Sequence, residues 1–477
     1  MMFNPKVLSF LTRAFIFIAI GLFFQCSEDE LLLTSTEEDI NATTVSGTAS
    51  AATAGDCGCT YTVPASDYIK IDGQVLGLKP GAVICLKAGL SYRNIIFKNL
   101  RGTAAAPIII KNCGGAVVID ASTTKRSGIR TERSSFLRIT GGNVHGSHGI
   151  KITGGWHSMH LDMLTTNVEV DHVEISNSGF AGVMAKTDPS CDDATIRGNF
   201  VMRNVLLHHN YIHDTAAEAF YVGHNNYLKG INTPCGTRLP GTLEGLKIYD
   251  NVVKNSGWES IQVASTPNGA EVYNNRIENY GVKNVTYQNH GVQFGEGGNA
   301  RFHGNLIKGG KGNGVMIISN AENFAYNNVI VNTGGHGIFC DDRTAVGIGF
   351  KFINNTIVNS GRDGIRLYSD NVPINLVYNN VIANPKSYST YRYPRTGNDA
   401  YVYLLGPGVK IKSLNNFFTR DINALKFANA SGFNFSLTWG SPAINKGTTI
   451  ASYGIPLDYA LTARLKGAAY DIGALEY

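Results

Sequence analysis

One phrase returns at uneven intervals along this chain: a strand residue, an Asn pair or its Gly-Asn equivalent, then the start of a new apolar strand. It reads Tyr273-Asn274-Asn275-Arg276-Ile277, His303-Gly304-Asn305-Leu306-Ile307, Tyr326-Asn327-Asn328-Val329-Ile330, Ile353-Asn354-Asn355-Thr356-Ile357 and Tyr378-Asn379-Asn380-Val381-Ile382. From Asn275 the second Asn recurs after 30, 23, 27 and 25 residues, at 305, 328, 355 and 380. That spacing is too regular for chance and too loose for a helical heptad. Each repeat therefore reads as one coil of a solenoid, in which neighbouring coils bury each other's faces. Gly at 54 of 477 residues and a charged fraction of only 16% suit a chain that turns several times per coil.

A second strand follows each Asn phrase, with a small residue ahead of an apolar, variable, apolar triplet. The series is Gly149-Ile150-Lys151-Ile152, Gly182-Val183-Met184-Ala185, Ala219-Phe220-Tyr221-Val222, Ser260-Ile261-Gln262-Val263, Gly291-Val292-Gln293-Phe294, Gly314-Val315-Met316-Ile317, Gly337-Ile338-Phe339-Cys340 and Gly364-Ile365-Arg366-Leu367. Period-two alternation turns the Ile, Val and Phe positions inward and the residue between them outward. With coils in register about 4.8 Å apart, every outward position becomes a continuous column of surface.

These features resemble the right-handed parallel β-helix proteins of the pectate-lyase-like superfamily, specifically Asn-rich surface lipoproteins of Bacteroidota. The resemblance spans roughly Ile69 to Pro385. Leu76-Gly77-Leu78-Lys79-Pro80-Gly81 is similar to the opening coils of that superfamily, and Asp471-Ile472-Gly473-Ala474-Leu475-Glu476-Tyr477 to the closing segment of exported members. It implies an all-β solenoid of about ten coils over 56–386, with a closing β segment over 387–477. Chemistry is not implied, because the superfamily holds lyases, hydrolases, epimerases and non-catalytic proteins.

Chemistry has to come from the columns. The Asn column (210, 251, 275, 305, 328, 355, 380) reads as structural: Asn tolerates a left-handed turn and its amide can bond the coils above and below. The column before each small residue varies instead: His148, Ala181, Glu218, Glu259, His290, Asn313, His336 and Asp363. Two carboxylates on neighbouring rungs repel, so one proton affinity rises, and the pair can hold one acid and one base as a glycosidase requires. Tyr221, Gln262 and Gln293 in the next outward column, with His224 and Glu296 beyond it, supply groups that bind sugar hydroxyls, and Trp258 can stack on a sugar ring. A β-elimination would instead use Lys186 or His290 as base, with Tyr221 and His224 as further candidates and Asp188, Asp192 and Asp193 as a calcium site. The alternatives are Glu218 and Glu259 as turn residues, solvated or capping backbone N–H groups, with Trp258 in the core, and a non-catalytic glycan-binding or adhesion module. No cofactor is required by the hydrolytic reading; calcium belongs to the eliminative one.

At the N-terminus, Lys6 and Arg13 precede an apolar run, Ala14 to Phe24, shorter than the roughly 20 residues of a spanning helix. It reads as an export signal over 1–26. Phe23-Phe24-Gln25-Cys26 resembles a lipobox, with Ser27-Glu28-Asp29-Glu30 similar to the signal that sends such lipoproteins to the outer surface. Cys26 is thus the expected lipid attachment point, an ordinary cleaved signal being the alternative, and 27–55 a flexible tether. Removing Lys6 and Arg13 from 41 basic residues leaves 39 against 36 acidic ones. That near balance argues against a nucleic-acid partner; a monomer acting on polysaccharide is expected. Among the remaining Cys, 57, 59, 85 and 113 suit two bridges of unspecified connectivity, Cys191 and Cys235 a third, and Cys340 a free core thiol.

Overall fold

The computed structural model describes residues 43–44, 57–142, 148–319, 322–341, 349–389 and 394–477. The export signal, Cys26 and nearly all of the proposed tether lie outside the described residues.

From residue 57 onward the chain winds as a parallel β-helix. Each coil gives three short strands: Lys247–Tyr249, Val252–Lys254 and Ile261–Val263 in one, Glu271–Tyr273, Arg276–Glu278 and Val292–Phe294 in the next. They pair parallel and in register, Tyr249 with Tyr273, Val253 with Ile277 and Gln262 with Gln293. The first-strand ladder reaches 13 strands, more turns than the ten expected. The stack ends in Val402–Leu404, Ile411–Leu414 and Phe417–Thr419, so the helix runs past residue 386.

The Asn phrase makes the corner between the first and second strands, and its two members divide the work. The first residue takes the left-handed turn: Asp250, Asn274, Gly304, Asn327, Asn354 and Asn379 have φ between 53° and 64°. The second is buried and builds the ladder. Asn251 Nδ2 donates to Asn275 Oδ1 at 3.0 Å and to Leu207 O at 2.9 Å, while Asn251 N donates to the same Asn275 Oδ1 at 3.2 Å. The link repeats through Asn305, Asn328, Asn355 and Asn380 to Asn416. Left-handed backbone and amide ladder, expected of one Asn, thus fall to neighbours.

The small residue before each third strand faces the interior. A Cβ on Gly291 would lie 2.5 Å from Gly314 O and 2.7 Å from Ile307 Cγ2. With residue 291 and Val292 both turned inward, residues 290 and 293 share the outer face. Burial of the Ile, Val and Phe columns inside the coils stabilises the stack, at roughly 1.5–3 kcal/mol per side chain.

Residues beyond 420 flank the stack as well as closing it. Leu425, Phe435, Ile472 and Leu475 pack on the outward faces of Leu306, Val329, Val358 and Val381. Corner amides hold this arm by its backbone: Asn354 Nδ2 donates to Asp471 O and Gly473 O, both at 2.9 Å, Asn379 Nδ2 to Thr448 O at 2.9 Å and Asn327 Nδ2 to Leu457 O at 2.6 Å. Disulfides join Cys57 to Cys113, Cys59 to Cys85 and Cys191 to Cys235, while Cys340 is a buried thiol outside these bridges that accepts a hydrogen bond from Ser369 Oγ at 3.7 Å.

Candidate functional site

On the outer face of the third ladder, Arg130, His160, Met184, Tyr221, Gln262, Gln293, Met316, Phe339 and Arg366 form one column. This corrects one register. Ile150–Gly154 pairs with Val117–Ala121 and Val173–Ser176, which belong to the second ladder. The third strand of that coil is Met159–Leu161, and His157 rather than His148 heads the neighbouring column of Ala181, Glu218, Glu259 and His290.

Glu218 and Glu259 therefore stand on adjacent rungs of one column, because Phe220 pairs with Ile261. They are 1% and 0% exposed, which corrects the alternative that they are solvated turn residues. Among the described residues, neither oxygen of Glu259 has a hydrogen-bond partner beyond its own backbone N–H. Burial, reinforced by the Glu218 charge, pushes the Glu259 carboxyl well above the usual carboxylate range. The pair thus places a carboxyl of raised proton affinity on the rung next to a second carboxyl, with the strands ~4.8 Å apart.

The strip beside them is covered. Gln262 and Gln293 are buried, and Asn225 Nδ2 donates to Gln262 Oε1 at 3.1 Å from above. Segment 225–228 forms this roof. Glu296 accepts Leu228 N at 3.1 Å, Arg197 lies 3.8 Å over the Tyr227 ring, and its guanidinium donates to Tyr227 O. Glu296 thus holds the roof, where a sugar-binding role was expected. Trp258 is half-buried on the rim, with Phe180 edge-on to it at 5.5 Å and stacked on Trp156 at 5.5 Å.

One rung earlier, the ionisable groups expected to serve an elimination are occupied with each other. Lys186 Nζ lies 3.1 Å from Asp188 Oδ1 and 5.1 Å over the Tyr221 ring. Desolvation opposes the Asp188 charge, but Lys186 and then His224 overrule it and the carboxyl ends at about 2. His224 Nδ1 accepts Asn226 N at 3.0 Å, leaving Nε2 to face Asp188 at 3.4 Å. Burial and the Lys186 charge bring His224 down to about 4, so its ring is neutral. Lys186 is thus paired with Asp188, the reverse of a free base. His290 Nδ1 accepts Asn313 N at 3.2 Å, and burial brings it to about 3. Its remaining nitrogen then carries the proton, so this imidazole cannot take one from a substrate.

The calcium trio is dispersed. Asp188 is held by Lys186, Asp192 lies 3.0 Å from Arg133 and caps Ala194 N, and Asp193 lies 2.9 Å from Arg238. Three carboxylates neutralised by three separate cations do not form a calcium cage.

The sequence reading missed a cluster one coil earlier. Arg130 bonds Asp162 at 2.9 Å and approaches Glu132 at 3.2 Å, and His160 stands 3.8 Å from Asp162. Burial keeps His157 and His160 far below the ordinary imidazole value, hence neutral. The spacing of Trp156-His157-Ser158-Met159-His160 could have shown it, had Ser158 been read as the small residue.

Residues 205–382 and 241–418 match the family described as a right handed beta helix region. No curated protein matches the chain. Among solved structures it is similar to pectate lyase Pel9A, at 15% identity and TM-score 0.44 over 84% of this chain and 88% of that one. A GH136 lacto-N-biosidase from Eubacterium ramulus gives 12% and 0.40 over 80% and 69%. The polysaccharide lyase Pedsa3628 from Pseudopedobacter saltans gives 12% and 0.38 over 72% and 92%. With its three-strand coils stacked parallel and in register, the chain folds as a parallel β-helix, and residues 205–418 of it match the right handed beta helix region.

Proposed function

We propose that the protein binds and hydrolyses an extracellular polysaccharide along the outer face of the third ladder. The observation that carries this reading is the carboxyl pair. A carboxyl with 0% exposure and, among the described residues, no partner beyond its own backbone N–H costs stability, the kind of perturbed acid that marks a functional site. Beside a second carboxyl one rung away it is the general acid of a glycosidase, with Glu218 as its partner. Acid–base hydrolysis by such a pair needs no metal. Tyr221, Gln262 and Gln293 offer the sugar-binding groups once segment 225–228 lifts, and Phe180, Trp156 and Trp258 form the aromatic rim. In this reading the chain is an exported monomer, attached through lipid at Cys26 to the outer surface.

Elimination is the weaker route, because Lys186, His224 and His290 are each engaged by a neighbour. Capture without catalysis is the second reading, and the roof over Gln262 favours it.

One experiment separates the three. Purified protein is incubated with neutral and anionic polysaccharides while reducing ends and the absorbance of unsaturated uronates are followed together. Reducing ends without absorbance are expected; absorbance would establish a lyase, and binding with neither a capture protein. Glu218→Gln and Glu259→Gln should each abolish turnover. Turnover that persists in both removes the pair.

A further inference from the structure

The left-handed corner residues form their own outward column: His209, Asp250, Asn274, Gly304, Asn327, Asn354, Asn379 and Asn415. Towards the C-terminal end every amide in it is used. Asn327, Asn354, Asn379 and Asn415 all donate to backbone carbonyls of the arm, the last to Lys446 O at 2.6 Å. The side chain of Asn274 makes no such bond among the described residues.

Between the two lies Gly304, where a Cβ would stand 2.5 Å from Asn274 Oδ1. The missing side chain opens a pocket of about 290 Å³, lined by Asp250, Asn274, Arg276, Gly304, Tyr459 and Leu461 among others. It shares no residue with the groove that holds Glu218 and Glu259.

The polar groups select the ligand. Asp250 only accepts, Asn274 donates and accepts, and Arg276, held by Glu278, only donates. A peptide carbonyl, which the same column binds further along, would satisfy Asn274 but face the Asp250 carboxylate. A hydroxyl donates and accepts at once, so adjacent hydroxyls satisfy Asp250 and Asn274 together. Tyr459 and Leu461 supply an apolar wall for the C–H side of a ring. We propose that this pocket is a second saccharide-binding site, for one or two neutral sugar units, built where the arm meets the uncovered corner column. It stands independently of hydrolysis in the groove.

The test is calorimetric titration of the full chain with methyl glycosides of glucose, galactose and mannose and with lactose and cellobiose. At least one should bind with a single site. Gly304→Asn fills the gap with the residue that takes the same left-handed corner at 274, 327 and 354. Its clash is with the far end of a side chain, so the fold should survive with an unchanged thermal midpoint. Gly304→Asn and Asp250→Ala should each weaken binding at least tenfold, with polysaccharide turnover unchanged. Three results would overturn the proposal: no panel member binds the unaltered chain, both variants bind within twofold of it, or binding is lost in Glu218→Gln instead.

Discussion

Replacing Glu259 by Gln should change how stability depends on pH more than it changes stability itself. The folded carboxyl is pushed up by burial and by Glu218, whereas in the unfolded chain it titrates near its ordinary 4.5. Below that value both states hold the proton and nothing is lost. Above it the unfolded chain releases the proton and the folded one keeps it, so stability falls as pH rises, at up to about 1.4 kcal/mol per pH unit for one proton, until the folded group ionises. The amide that Glu259→Gln introduces does not titrate, so this slope disappears. Burying a primary amide without partners adds a constant cost, which is why the slope and not the offset is diagnostic. Urea unfolding at half-unit steps from pH 4.5 upward would measure it. The curves for the unaltered chain and the variant should diverge by about 1 kcal/mol between about pH 4.5 and 5.5, and by up to about 1.4 kcal/mol per unit above that. Because the two acids interact, the pair titrates as a unit, and the double variant with Glu218→Gln should be the flattest. Parallel curves would mean that Glu259 ionises as if solvated, and the argument for a protonated acid in the groove would fail.

Asn305→Ala removes the acceptor of Asn275 N and the donor to Val272 O, both buried. At roughly 1–3 kcal/mol per orphaned group it should cost about 2–6 kcal/mol, read as a lower urea midpoint; a change under 1 kcal/mol would show the ladder to be dispensable. Cys57→Ser with Cys113→Ser opens a loop spanning 56 residues, and chain entropy predicts a loss of about 4 kcal/mol, measured by the thermal midpoint under oxidising conditions. Lys186→Met removes a positive charge beside His224, whose proton affinity burial and Lys186 now depress to about 4. The imidazole should titrate higher in the variant, and an unmoved resonance in an NMR pH series would show that burial alone sets it.

What was legible in the sequence follows from what repeats. The Asn column could be read because every coil must turn the same corner, and the third-strand register from 182 onward because a small residue must face the interior Ile wherever that strand begins. The register failed at the coil before. Gly149-Ile150-Lys151-Ile152 imitates the pattern better than Ser158-Met159-His160-Leu161, and a strand's identity depends on which neighbour it pairs with, a long-range fact that local alternation does not carry. The roof was illegible for a related reason. The chain between the third strands at 183 and 220, and between those at 220 and 261, is long, but loops that wall a groove and loops that roof it have the same length. Their contacts decide between them, and the contacts that lay segment 225–228 over Gln262 and Gln293 come from single residues, Arg197 and Glu296, that belong to no repeat. The acidic loop misled similarly. Asp188, Asp192 and Asp193 are close along the chain, but each is paired with a different cation, Lys186 from the same segment and Arg133 and Arg238 from elsewhere in the chain. Glu218 and Glu259 were legible for the opposite reason: like-charged side chains on neighbouring rungs break the economy of a ladder that elsewhere pairs Asn with Asn. In a solenoid, an interruption in a column is therefore more informative about chemistry than the column, and the same logic directs attention to Gly304, the one bare corner between Asn274 and Asn327.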